Sequence, residues 1–133
     1  MSYSFEFDSA NGILRCRLER LVTDAILKDF FRAGAALAVR TQPAAGVVDL
    51  SAVSLFEVSS QTLREQSKIP PVFAHPDLRR VVIAPSPAVY GMMRMFELEA
   101  EEVRPDIHVV RNEQQAWAIL GVKNPQFEPL CTA

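Results

Sequence analysis

Cysteine, histidine and glycine are scarce in this chain: its 133 residues include two of the first, two of the second and five of the third. Cys16 and Cys131 stand far apart at no metal-ligand or disulfide spacing, so two free thiols are expected and a cysteine scaffold is excluded. His75 and His108 each lack a nucleophile and an acid at a motif spacing, which leaves no Ser-His-Asp arrangement and no metal cluster to assemble. His75 is expected in a solvated loop, and His108 as a hydrogen-bonded strand residue. The glycines do not cluster, and a phosphate cradle of backbone amides needs several together, so no cofactor is expected.

Long apolar runs are missing as well. None approaches the roughly 20 residues that cross a bilayer, and Met1-Ser2-Tyr3-Ser4 lacks the charged and apolar regions of a signal peptide. A cytoplasmic protein without a membrane span is the expectation. There is no basic surplus either: the net charge is −2, and Arg15, Arg17 and Arg20 are offset by Glu6, Glu19 and Asp24, which argues against nucleic acid as a partner.

What is present is the composition of an ordinary globular protein, 49% hydrophobic and 23% charged, at a length suited to one core. A single domain over 1–121 is expected, followed by an irregular tail over 122–133 that carries Pro125, Phe127, Pro129 and Leu130.

Tyr3, Phe5 and Phe7 alternate with polar residues, as do Leu14, Cys16 and Leu18, the period of half-buried strands; Asn11-Gly12 between them predicts a hairpin. Thr23 is a candidate N-cap with Asp24 in the first turn, and Ile26, Leu27, Phe30, Ala33 and Leu37 recur at helical spacing to about Arg40. Val47-Val48-Asp49-Leu50 reads as a buried strand, followed by a loop through Phe56 and a second helix from about Ser59 to Lys68, which Pro70 and Pro71 stop. Residues 80–84 form another buried strand; Ser86 is placed to cap, and Pro87 to begin, a third helix that reaches about Glu102. Residues 107–110 are the last strand, and Asn112 with Gln115 makes a capping-box pattern for a fourth helix that Gly121 ends. The expected fold is therefore α/β, a mixed, mostly parallel sheet of five strands with about four helices in the order β-β-α-β-α-β-α-β-α.

That succession, with Ser59-Ser60-Gln61 between the third strand and the second helix and Glu57 just before them, resembles the STAS superfamily of anti-sigma-factor antagonists and their SpoIIAA-like relatives. In that pattern an acid, two small hydroxyl residues and a glycine follow the third strand; here Glu57 stands one residue early and Gln61 replaces the glycine. Val82-Ile83-Ala84-Pro85 and the stretch Tyr90-Gly91-Met92-Met93-Arg94-Met95-Phe96 look like the small bacterial SpoIIAA-like proteins grouped with STAS and Sec14-type lipid-binding domains. The resemblance implies a non-catalytic binding or regulatory module, with Glu57, Ser59 and Ser60 as the candidate partner or phosphorylation loop. A serine at a helix start also serves as an N-cap whether or not it is modified.

Two alternatives stay open: a binder of a small apolar ligand or lipid, suggested by the Sec14-type kinship and by Met92, Met93 and Met95, whose thioethers suit adaptable pockets, and an unrecognised enzyme. On the third helix Val89, Met92, Met93, Phe96 and Ala100 share one arc, whereas Gly91, Met95 and Leu98 fall opposite, where the tail or a second copy would cover them. Homodimerisation through Met95 and Leu98, with Tyr90 or Arg94 at the rim, is the expectation. Glu97, Glu99, Glu101 and Glu102 at the end of that helix are expected to form a solvated face.

Overall fold

One aspartate shapes the first hairpin. β1 (Tyr3–Asp8) and β2 (Ile13–Thr23) pair antiparallel, and where they turn the Asp8 carboxylate accepts from the Ala10 amide at 3.1 Å and from the Asn11 side chain at 2.7 Å. Gly12 then takes a φ of +68°, which a residue with a Cβ adopts only under strain. The coordinates are a computed structural model that describes residues 2–70, 78–103 and 106–130. His75 and Cys131, the expected loop histidine and tail thiol, lie outside the described residues.

α1 (Asp24–Thr41) begins where Thr23 accepts from the Ile26 amide at 3.3 Å. There follow β3 (Ala45–Glu57), α2 (Ser60–Ser67), β4 (Arg79–Ile83), α3 (Pro87–Glu99), β5 (Ile107–Val110), α4 (Glu113–Leu120) and β6 (Glu128–Leu130). The strands lie in the order β5-β4-β3-β2-β1-β6, with β2 through β5 parallel to one another and β1 antiparallel to both β2 and β6.

Strand alternation assigns the layers. Phe5, Leu14, Leu18, Leu50 and Val82 turn to the face covered by α1, α2 and α3, where they meet Leu27, Phe30, Leu63, Val89, Met93 and Phe96. Ile13, Val47, Val81, Ile83 and Val110 turn to the other face, where Ala116 and Trp117 of α4 cover them. An aromatic chain runs through the first layer, from Phe5 to Phe30 at 5.7 Å between ring centroids, from Phe30 to Phe31 at 5.8 Å and from Phe31 to Phe96 at 6.0 Å, so that β1, α1 and α3 are joined by rings. Among the described residues no helix is long and apolar enough to cross a membrane.

The sheet corrects the expected five strands to six. The tail, expected to be irregular, returns to β1 as β6, with Leu130 opposite Phe5 and Pro129 opposite Glu6. A proline, which has no amide to donate, is tolerated there because β6 is an edge. β3 is the second correction: instead of a short strand and a loop through Phe56, it runs unbroken from Ala45 to Glu57, since β2 is long enough to pair with it as far as Thr23. At α3, Ser86 occupies the N-cap position but its side chain makes no capping bond, and the helix ends at Glu99 rather than Glu102. The fourth helix starts as expected, with Asn112 accepting from the Gln115 amide at 2.9 Å, yet the Gln115 side chain reaches back to the amide of Arg111 rather than that of Asn112.

Candidate functional site

Past Asp49, β3 loses one neighbour. Its pairing with β4 ends at Asp49 opposite Ile83, while β2 follows it to Thr23 opposite Glu57. Residues 51–57 therefore form half of a two-stranded ribbon whose outer edge makes no ladder among the described residues. Register shifts lie between Arg17 and Glu19 and between Arg20 and Leu21, where β3 carries the extra residue, Ser54 at the second; such bulges bend the ribbon, and Arg20 on the facing strand has a φ of +61°. Beyond the second shift Leu21 stands opposite Leu55, and these two leucines are 40% and 52% exposed. Their neighbours Val22 and Phe56 turn the other way, into the core beneath the three helices. The cluster under α4 takes β2 and β3 only at their starts, at Ile13, Ala45 and Val47, so the leucine pair lies uncovered.

The ribbon leads straight to the serines. Glu57, exposed, ends β3; Val58 is buried and anchors the turn; Ser59 then caps α2 by accepting from the Thr62 amide at 3.1 Å. Ser59 is also held from the side, its amide donating to Asp24 Oδ1 at 2.8 Å and its hydroxyl to Asp24 Oδ2 at 3.1 Å. The Ser59 amide, above all, holds the Asp24 carboxyl below its ordinary range; desolvation opposes this, and the Thr62 and Ser59 hydroxyls and Lys28 add to it. Ser60 is exposed in the first turn of α2, and its hydroxyl makes no hydrogen bond among the described residues.

Glu57, Ser59 and Ser60 thus stand together at the carboxyl end of β3, where α/β sheets gather their binding sites. Sequence reasoning missed three participants: Asp24, read only as a favourable charge at a helix start, and Leu21 and Leu55. A period-2 pattern in residues 51–57 would have flagged the strand, but the bulge interrupts it.

The second candidate face lies on α3. Met95 and Leu98 are 43% and 62% exposed, and Gly91 beside them is open, with nothing within 4 Å of where a Cβ would stand. Arg94 forms an ion pair with Glu97 at 2.6 Å, and Tyr90 lies under the Arg111 guanidinium at 5.0 Å. The described part of the tail lies elsewhere: Phe127 packs on Trp117 with its ring beneath Arg15, and Leu130 pairs with β1. Of the three methionines expected to line a pocket, Met93 is buried and Met92 half-buried against the core, while Met95 faces out.

The acids at the end of α3 do more than keep a helix wet. Glu97 accepts from the Val109 amide of the edge strand β5 at 3.1 Å, and Glu99 lies 3.5 Å from Lys68; Glu101 and Glu102 are exposed. His108 is exposed on β5. Burial pushes the Cys16 thiol up to about 12, which keeps it protonated near neutrality. Among the described residues no three histidines, cysteines or acids gather as metal ligands.

No family model matches this chain, and no curated protein matches it in sequence. Among solved structures it is similar to that of the anti-sigma factor antagonist SpoIIAA in its unphosphorylated form, with a TM-score of 0.59 and 11% identity over 92% of this chain and 99% of that one. The likeness extends over nearly the whole of both chains, and the chain has a SpoIIAA-like fold.

Proposed function

We propose that this protein is a non-catalytic, cytoplasmic regulatory module that binds another protein through the end of the sheet formed by Leu21, Leu55, Glu57, Ser59 and Ser60. The observation that carries the reading is the exposed Leu21–Leu55 pair on a strand whose outer edge makes no ladder among the described residues, immediately before an exposed hydroxyl at a helix start. Apolar anchors beside unpaired backbone groups are what an incoming strand or loop of a partner needs. The structurally similar protein is an anti-sigma factor antagonist described in an unphosphorylated form; for this chain, regulation by phosphorylation is a finer part of the proposal. Ser59 is committed to Asp24 and Thr62, and a phosphate on it would press against the Asp24 carboxylate. Ser60 is the better acceptor, since its hydroxyl is exposed and a phosphate in the first turn of a helix is favoured by the dipole.

A photo-reactive residue placed at Ser60 in living cells tests the reading against the same residue placed at Lys123, beyond α4. A discrete protein adduct at Ser60, lost when Leu55→Asp is added, is expected. Equal adducts from both positions, or an adduct indifferent to Leu55→Asp, would refute it.

A second copy of the chain is the partner proposed for α3. The favouring observation is that Phe127 and Leu130 are engaged elsewhere while Met95 and Leu98 are exposed, with neither covered by the described tail.

A further inference from the structure

The middle of the sheet is left open on its three-helix face. Gly46 and Val48 lie on β3 between two partners, Gly46 opposite Leu14 and Arg80, and Val48 opposite Cys16 and Val82. Residues so placed in a parallel sheet under a layer of helices are ordinarily buried, as Val47 is on the other face, with no exposure at all. Gly46, Val48 and Cys16 are instead only half-buried, and a Cβ on Gly46 would meet nothing within 4 Å. Helices α1 and α3 meet through Phe31 and Phe96, but elsewhere α1 brings Gly34, Ala35 and Ala38 to the gap, and their side chains are small. The described residues bound a cavity of about 720 Å³ there. Protein cores pack as densely as organic crystals, with few voids larger than a water, whereas small-molecule sites occupy roughly 300–1,000 Å³.

The wall is apolar and offers no open charge. Leu18, Phe30, Val82, Met93 and Phe96 belong to it, and the Cys16 thiol within it is protonated. Lys28, Arg32 and Arg80 also reach the lining, and each is already met by an acid: Arg32 pairs with Asp29 at 3.1 Å, Lys28 acts on the Asp24 carboxyl, and the Asp106 carboxylate acts on Arg80. No carboxylate joins the lining among the described residues. A charged ligand would therefore give up its hydration without gaining an unmatched counter-ion, whereas an uncharged apolar one loses nothing by leaving water. Apolar cavities of this kind stay dry and take up hydrocarbon.

We propose that this cavity binds an uncharged, mainly hydrocarbon molecule of the long-chain alcohol type, lying over Gly46 and Val48 between α1 and α3. The proposal stands on the cavity and does not rest on the protein-binding reading of the β3 edge.

The test is a titration of the full chain with octanol, decanol and decanoate, read by calorimetry and by the unfolding midpoint. Decanol should saturate at one molecule per chain, raise the midpoint, and bind on the order of tenfold more tightly than octanol, as two further buried methylenes require. Decanoate should bind more weakly than decanol. Gly46→Val places a side chain in the open space at a strand position that valine favours, so the ligand-free variant should unfold at a higher midpoint and bind decanol at least about tenfold more weakly. Val48→Phe should weaken decanol as well, its own midpoint showing that it is folded before it is titrated. Gly91→Ala, equally open but on the outer face of α3, should leave binding unchanged. Absence of saturable decanol binding by the unaltered chain overturns the proposal, as does binding that Gly46→Val and Val48→Phe both leave unchanged. A less stable Gly46→Val would show that the space above β3 is closed, and overturns it too. Tighter binding of decanoate than of decanol overturns the assignment of an uncharged ligand.

Discussion

Asp24 takes both an amide and a hydroxyl hydrogen bond from Ser59, at 2.8 and 3.1 Å, and so ties the first turn of α1 to the start of α2 across 35 positions of sequence. The same serine caps α2. Its removal therefore costs a cap and a long-range tie together. Ser59→Ala is expected to destabilise the fold by about 1 kcal/mol, within the range of ~0.5–2 known for N-caps, and Ser60→Ala to change stability by less than about 0.5 kcal/mol. Urea unfolding of the two variants side by side checks the asymmetry; equal losses would mean that the cap is not at Ser59.

The Asp24 carboxyl titrates below its ordinary value of 3.8 because the charged form is the one that Ser59 holds. A carboxyl whose folded value is lowered adds stability above its unfolded value and loses it as the pH falls through 3.8 toward the folded value. Between about pH 5 and pH 3, Asp24→Asn should accordingly show a shallower fall in stability than the unaltered protein. Parallel curves for the two proteins would contradict the tie.

Glu97 reaches from α3 to the amide of Val109 on β5, the edge strand at one side of the sheet. A carboxylate on an edge amide satisfies a donor that would otherwise be offered to another chain. Glu97→Ala should speed hydrogen exchange at Val109 and cost about 1 kcal/mol, while Glu101→Ala, at an exposed position, should do neither. An unchanged Val109 exchange rate would show that the contact is not kept in solution.

Leu98 is the most exposed large apolar side chain of α3. If α3 meets α3 across a two-fold axis, the native chain sediments as a dimer, and Leu98→Glu, which would bury an unpaired carboxylate in the interface, shifts it to monomer. A native monomer, or a Leu98→Glu dimer of unchanged affinity, counts against the interface.

Local chemistry was legible in the sequence, and distant pairing was not. Thr23, Ser59, Asn112 and Gly121 sit at the helix ends where their side chains or backbone preferences put them, because a cap involves residues within one turn. The length of β3 depends on β2, some thirty positions earlier in the chain, and a bulge breaks the alternation that would have announced it. β6 has three residues with a proline at its centre, a pattern that reads as loop and becomes a strand only because β1 offers an edge. Of the candidate site, the serines were visible as cap chemistry. Asp24's hold on Ser59, the Leu21–Leu55 pair and the cavity above Val48 arise from elements that meet only in the folded chain.

The central claim is that a partner protein seats on the outer edge of β3 beside Ser60, past the end of its pairing with β4. Hydrogen exchange of the chain, alone and in complex with the protein cross-linked at Ser60, measures it directly. Slowed exchange over residues 51–60, with α4 unchanged, is the expected result; protection confined to α3 or α4, with residues 51–60 exchanging as in the free chain, would contradict it.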